Sequence, residues 1–334
     1  MKKIAITGAS GFIGSFLVEE ALQKGFDTYA ILRTTSSKKY LQDSRINFLN
    51  FNLSDKTEMV NQFKELKKQG IIFDYFIHNA GATKVVKKKD YLKVNFEYTQ
   101  NLVEALMESG CTPKKFIYMS SLAAYGPGDP VSGVPIKESD TPRPLTLYGK
   151  SKLASEQYIR SLSDFPFIII RPTGVIGPRD TEFISFYKTI NSSIEPYIGS
   201  PNQLLTFIYI KDLIQLIFKA IDSDLVNKSY FATDGTCYTG TEFSLVVKKV
   251  LSKKTIRIVF PKMVIKPIAY LSEHIARMLG KPSILNTEKY KEFTAFNWLC
   301  DSTPAQKELN FKAEYDLTKG VEQSILWFKE NKML

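Results

Sequence analysis

Histidine and cysteine are scarce in this 334-residue chain, which has two of the first and three of the second. His78 ends a β-rich apolar run and His274 lies in a distant amphipathic stretch, so neither a metal cage nor a Ser-His-Asp triad is expected and no metal site is assigned. Cys111, Cys237 and Cys300 are odd in number and have no Cys-x-x-Cys spacing. That excludes a disulfide framework and a zinc knuckle, and it fits a reducing cytoplasm. No stretch reaches the ~18 uninterrupted apolar residues of a membrane span. The opening, MKKIAITGASGFIG, begins as an export signal does, but Gly8, Ser10, Gly11 and Gly14 break the apolar run of roughly 7–15 residues that such a signal needs. Repeats, low-complexity tracts and an acidic tail are also missing.

What is present is an ordinary globular composition, 44% apolar, enough to bury one large core or two unequal ones. The net charge of +11 speaks to solubility and non-specific attraction to anions. The lysines are scattered and not interleaved with aromatics, so no specific nucleic-acid partner is expected. Their one compact run, Lys84 to Lys89, reads as solvated surface.

Residues 7–14, TGASGFIG, follow a short apolar run and precede FIGSFLVEEALQKG, in which Phe12, Ile13, Phe16, Leu17 and Leu22 recur at helical intervals and Gly25 is a stop. Glycines between a strand and a helix let backbone N–H groups and the helix N-terminus approach phosphate oxygens. The alternation continues through residues 28–33, 46–51, 73–78, 115–121 and 166–172, which predicts a doubly wound parallel α/β sheet with both faces covered. Beyond residue 176 the pattern loosens into a smaller C-terminal mixed α+β lobe, with residues 182–190, 204–210, 229–235 and 255–260 as its strands and helices. We therefore expect a dinucleotide-binding domain over 1–176 and a substrate lobe over 177–334, with about 204–228 returning to the first core.

In TLYGKSKLASEQY, Tyr148 and Lys152 are four apart on a predicted helix and share a face. A phenol with an ordinary pKa of ~10 becomes an acid-base catalyst near neutrality only with roughly 4 kcal/mol of preferential stabilisation of the phenolate. Earlier in the chain, MSSLAAYG places Ser120 and Ser121 at the end of a predicted strand.

The glycine turn, the Ser120-Ser121 pair and the YGKSK segment, in that order, resemble the extended short-chain dehydrogenase/reductase family, the NAD-dependent epimerase/dehydratase group. The resemblance implies a Rossmann domain and a nicotinamide dinucleotide lying on Gly8, Ser10, Gly11, Phe12, Ile13 and Gly14. It also implies that Asn79, Ala80 and Gly81 line the cofactor, that Asn95 is the family's helix asparagine, and that Pro172, Thr173 and Val175 border the nicotinamide. Ser121, Tyr148 and Lys152 align with the catalytic residues, Lys152 holding the nicotinamide ribose and depressing the tyrosine pKa. Dimerisation through the two helices beside the Tyr148 segment is implied as well.

Departures from the family pattern refine this. Relatives that use NAD carry an acidic residue at the end of the second strand, where this chain has Arg33 followed by TTSSKK with Lys38; Asp27 lies at the other end. A guanidinium pairs with a 2′-phosphate, so NADP is expected over NAD. Asn52, beside Leu53, stands where the family has an aspartate and can still bond adenine through its amide carbonyl. Thr173 and Leu205 replace the asparagine and arginine with which nucleotide-sugar epimerases grip their substrate. Residues 260–286, with Ile265, Ile268, Leu271, Ile275, Met278 and Leu279 of the stretch 264–279 on one predicted helical face, resemble the corresponding region of the 3β-hydroxysteroid dehydrogenase and dihydroflavonol reductase branch. That stretch either packs on the small lobe or touches a membrane surface. The expected activity is hydride transfer to or from a carbonyl or alcohol on a mostly apolar small molecule. The alternatives are a nucleotide-sugar epimerase or dehydratase with an internally recycled cofactor, and a non-catalytic dinucleotide sensor or RNA-binding protein.

Overall fold

Apolar runs of four to six residues bounded by glycine and polar turns are buried on both faces in the computed structural model, which describes residues 1–283 and 285–334. The first half is β1 (Lys3–Thr7), α1 (Phe12–Gln23), β2 (Asp27–Leu32), β3 (Asn47–Asn50), α2 (Lys56–Lys68), β4 (Tyr75–His78), α3 (Asp90–Leu92), α4 (Tyr98–Glu108), β5 (Lys115–Met119), α5 (Leu147–Arg160) and β6 (Phe167–Pro172). A π-helical turn, Lys93–Glu97, joins α3 to α4, and a 3₁₀ turn, Leu122–Ala124, follows β5. The second half is β7 (Gly174–Ile176), α6 (Ile184–Asn191), β8 (Ile194–Ile198), β9 (Leu204–Leu205), β10 (Phe207–Tyr209), α7 (Ile210–Asp222), β11 (Lys228–Ala232), β12 (Tyr238–Thr239), α8 (Gly240–Leu251), β13 (Ile256–Phe260), α9 (Lys262–Met278), α10 (Thr287–Thr294), α11 (Thr303–Glu308) and α12 (Leu317–Glu330).

Seven strands form one parallel sheet in the order β11-β6-β5-β4-β1-β2-β3. Side chains alternate between its faces with the two-residue period of a strand. Ile4 and Ile6 enter one core with Leu17 of α1 and Leu213, Leu216 and Ile217 of α7, whereas Ala5 enters the other with Phe63 of α2 and Leu102 of α4. In β6 the same alternation sends Ile168 and Ile170 to the first core and Phe167 and Ile169 to the second. The chain reverses its direction of winding between β1 and β4, the place where open sheets of this kind bind ligands at their carboxyl ends.

Residues 229–235 differ from expectation. They open as β11, which pairs with β6 and extends the main sheet, because α7 carries the chain back across the first core. The remaining small lobe has the parallel pairs β8–β13 and β7–β10 and the antiparallel pair β9–β12. Among the described residues no helix is long and apolar enough to cross a membrane.

Candidate active site

The turn after β1 has no room for a side chain at its first residue or where α1 crosses it. Gly8 has φ +65°, and a Cβ there would lie 2.8 Å from the Ala80 backbone nitrogen. A Cβ on Gly14 would lie 2.0 Å from the Gly8 carbonyl oxygen, so α1 starts packed directly on the turn. Gly11 precedes α1 in extended conformation, and no side chain caps the helix. Its first-turn N–H groups and the positive end of the helix dipole are thus left for an anion, and the pyrophosphate of a dinucleotide fits this cradle.

The loop after β4 is tied to the same place. Thr7 Oγ1 accepts the Ala80 N–H at 3.1 Å and lies 2.7 Å from His78 Nδ1, while His78 Nε2 lies 2.9 Å from Thr99 Oγ1. Thr99 spends its only hydroxyl hydrogen on the Asn95 carbonyl, so Nε2 is the protonated nitrogen and Nδ1 accepts from Thr7. Burial, and then Lys152, push the His78 pKa down to about 3, so the ring is a neutral strut. Asn79 Nδ2 donates to the Gly8 carbonyl at 3.4 Å. Asn95, buried on the π-helical turn, accepts the Ala82 N–H at 2.7 Å and donates to the Ala82 carbonyl and to Ser151 Oγ of α5. Gly81 leaves no space between these parts: a Cβ there would be 3.1 Å from Asn95 Oδ1 and 3.3 Å from Lys152 Nζ.

Tyr148 and Lys152 lie on α5, whose N-cap Thr146 accepts the Gly149 N–H at 3.0 Å. Ser121 follows β5, its hydroxyl accepting the Ala123 N–H at 3.2 Å. Tyr148 is half-buried with Tyr91 edge-on at 6.2 Å. Burial pushes its phenol well above the ordinary value, the neighbouring Ser121 hydroxyl draws it back, Glu292 and Glu182 raise it and Lys289 lowers it. The Lys152 ammonium donates to the Met119 carbonyl at 2.7 Å and lies over the Tyr118 ring at 4.8 Å.

Burial lowers the Lys152 pKa from 10.5 to about 8, partly opposed by Glu156. The folded value is below the unfolded one, so the unfolded chain binds more protons between these limits and stability rises as pH climbs from about 8 to 10.5. Lys152→Met is therefore expected to stabilise the ligand-free chain at pH 7 by about 1–3 kcal/mol and to flatten that rise, measured by urea denaturation across pH.

Beneath these residues lies a buried ionic cluster that sequence reasoning missed. Glu156 accepts from Arg171 Nε at 2.9 Å and Nη2 at 2.6 Å, and also takes the Ser120 hydroxyl. Arg171 Nη1 bonds Glu138, and the guanidinium stacks on Tyr125 at 4.4 Å. The one signal for it was Glu156 standing four residues after Lys152 on the same helical face.

The C-terminal lobe closes over the start of α5. Glu288 of α10 accepts the Leu147 N–H, and Lys289 pairs with Glu182 and Glu292, each at 3.1 Å. The run at residues 84–89 is not simply solvated: Lys84 approaches Glu182 at 3.9 Å and Lys88 pairs with Glu273 of α9 at 2.9 Å.

Of the remaining residues predicted to hold a cofactor, Arg33 is exposed just beyond β2, its backbone N–H bonded to Ser36 Oγ at 3.2 Å. Lys38 lies over the Phe48 ring at 3.8 Å. The Asn52 carbonyl is already engaged, accepting the Ser54 N–H and hydroxyl, and Leu53 packs on the second core. Pro172 ends β6, the Thr173 hydroxyl donates to the Ala232 carbonyl at 3.2 Å, and Val175 sits in β7 against the first core.

A profile described as the NAD dependent epimerase/dehydratase family matches residues 4–231. A ceramide reductase from Caulobacter vibrioides is 25% identical over 98% of this chain and 94% of its own length. A UDP-glucose 4-epimerase from Vibrio cholerae is 28% identical over 78% of this chain and 79% of its own length. The solved structure of the Bordetella bronchiseptica enzyme WbmG in complex with NAD and UDP superposes with a TM-score of 0.77 at 18% identity, covering 99% of this chain and 96% of that one. The profile runs from β1 into β11 and takes in the glycine turn, Ser121, Tyr148 and Lys152, so the chain belongs to the NAD dependent epimerase/dehydratase family and is an enzyme of the NAD(P)-dependent dehydrogenase/epimerase kind.

Proposed function

We propose that this enzyme interconverts an alcohol and a ketone on a substrate whose oxygen sits between Ser121 and Tyr148, with nucleotide sugars as the leading substrate class. The arrangement that carries the chemistry is Ser121, just after β5, and Tyr148, in the first turn of α5, at the carboxyl end of the sheet, with the Lys152 ammonium buried one turn along α5. When bound, a nicotinamide dinucleotide supplies or accepts the hydride. Ser121 orients the substrate oxygen. Tyr148, kept protonated at neutral pH by burial, delivers a proton to that oxygen as negative charge develops on it. In the reverse direction the phenolate needs a cation, and Lys152 becomes available for that role when its ammonium leaves the Met119 carbonyl. The substrate lies between residues 1–176 and the lobe of 177–334, whose α10 reaches the start of α5.

Resemblance to the Vibrio epimerase and to the UDP-bound Bordetella structure weighs toward sugar nucleotides over a mostly apolar small molecule. A second reading, a long-chain lipid ketone or alcohol, is favoured by two side chains. Leu205 is half-buried and apolar, and the Thr173 hydroxyl is committed to Ala232, so the two positions expected to grip a sugar nucleotide offer it neither charge nor a free donor. Incubating the purified chain with UDP-sugars and with a long-chain ketone, following NADPH absorbance and analysing products, separates the readings. Epimerised sugar without net cofactor turnover supports the first, stoichiometric NADPH loss on the lipid supports the second, and no product from either class overturns both.

For the cofactor we infer a preference for NADP(H). Arg33 projects from the end of β2, and Asp27, at the other end, is occupied by Asn47 and Tyr29. Calorimetric Kd values are expected to favour NADPH by about tenfold, a preference that Arg33→Ala removes; NADH binding tenfold tighter would end the inference.

A further inference from the structure

Helix α9 is amphipathic in an unusual sense, because its more apolar side faces outward. Ile265 and Ala269 are buried, and Ser272, Glu273 and Ala276 continue the same inner face. Val264, Ile268, Leu271, Ile275 and Met278 follow one another at spacings of four, three, four and three, which is the seam of a second face. Their exposures are 48%, 47%, 59%, 50% and 79%, and Leu279, just past the helix, is at 68%. The sequence expectation that placed Ile265 with these residues is thus corrected: Ile265 anchors the helix and the others are exposed. On β13, Ile256 and Val259 are likewise exposed. A stripe of this size on a soluble surface marks an interaction site.

The charge beside the stripe identifies its partner. Between Lys253 and Lys281 there are seven lysines and arginines and one carboxylate, Glu273. Glu273 is itself matched by Lys88 at 2.9 Å and Arg277 at 3.2 Å. We propose that α9, with its flanking cations, docks the protein on anionic lipid bilayers. Apolar side chains on one side of a helix and Lys/Arg beside them are the features by which interfacial helices enter the headgroup region, and each cation near an anionic leaflet adds attraction. A second copy of this chain fits less well, since pairing two such stripes would draw together two segments that each carry seven cations and one carboxylate. The docking rests on exposure and charge alone and is independent of which substrate class is correct. It has a consequence for access all the same: α10 follows α9, and its Glu288 and Lys289 reach Leu147 and Glu182 beside Tyr148, so a docked α9 holds the catalytic side of the lobe near the bilayer.

Co-sedimentation of the full chain with extruded vesicles tests this. Vesicles of equal parts phosphatidylglycerol and phosphatidylcholine are expected to retain it about tenfold better than phosphatidylcholine alone, and added NaCl is expected to release it. The variant I268E/L271E is expected to lose about tenfold in vesicle affinity while keeping its thermal midpoint and NADPH binding, because both side chains lie outside the core. K266Q/K281Q is expected to weaken binding to the anionic vesicles only. The proposal is overturned if neither vesicle retains the chain, if I268E/L271E binds as the parent does, or if light scattering shows a dimer that this variant dissolves while vesicles bind neither form.

Discussion

Tyr148→Phe is expected to lower turnover about 10²–10⁴-fold, the range lost when a positioned acid-base group is removed. The variant keeps the ring that packs edge-on against Tyr91 and deletes only the phenol hydroxyl. Cofactor affinity and folding stability are therefore expected to change little, and the loss to appear in kcat. Steady-state kinetics on whichever of the two proposed substrate classes turns over, beside calorimetry with the cofactor, checks both halves. Unchanged kcat removes Tyr148 from the chemistry; an equal loss of cofactor binding makes its role one of positioning.

Arg171→Met is expected to destabilise the fold by about 3–5 kcal/mol, because it leaves Glu156 and Glu138 without the cation that compensates their removal from water. Arg171 is fully buried between β6 and α5, and its guanidinium joins side chains from three segments of the chain. Replacing both partners, E156Q/R171M, removes most of the uncompensated charge, so the double variant is expected to recover at least ~1 kcal/mol relative to R171M. Chemical denaturation of the three proteins measures this. Glu156 also takes the hydroxyl of Ser120, next to Ser121, so Arg171→Met is expected to slow turnover even at temperatures where the protein remains folded. A single variant as stable as the parent would mean that the cluster does not hold α5 against β5 and β6.

The features legible in the sequence are those whose physics is local. Gly8 and Gly14 announce themselves because a Cβ on the first would meet the Ala80 backbone and a Cβ on the second the Gly8 carbonyl. The strands are legible because burial on both faces demands continuous apolar runs. Glu138, Glu156 and Arg171 stayed invisible as a set because they come from three separate segments and meet only in the folded sheet. The Lys84–Lys89 run illustrates the same limit: its partners, Glu182 and Glu273, are about a hundred residues or more away. Periodicity put α9 on the page as a helix with an apolar face, but whether a neighbour covers that face depends on tertiary contacts that spacing does not encode. Residues 229–235 were read with the small lobe for a similar reason, since a strand's composition does not state which sheet edge it joins.

A structure of the full chain grown with NADPH addresses the central claim most directly. The expected result is a dinucleotide whose pyrophosphate rests on the backbone N–H groups opening α1 and whose nicotinamide lies beside the Ser121 and Tyr148 hydroxyls, leaving space there for a substrate carbonyl. A dinucleotide bound away from the glycine turn, or a nicotinamide turned out of reach of Tyr148, would contradict it.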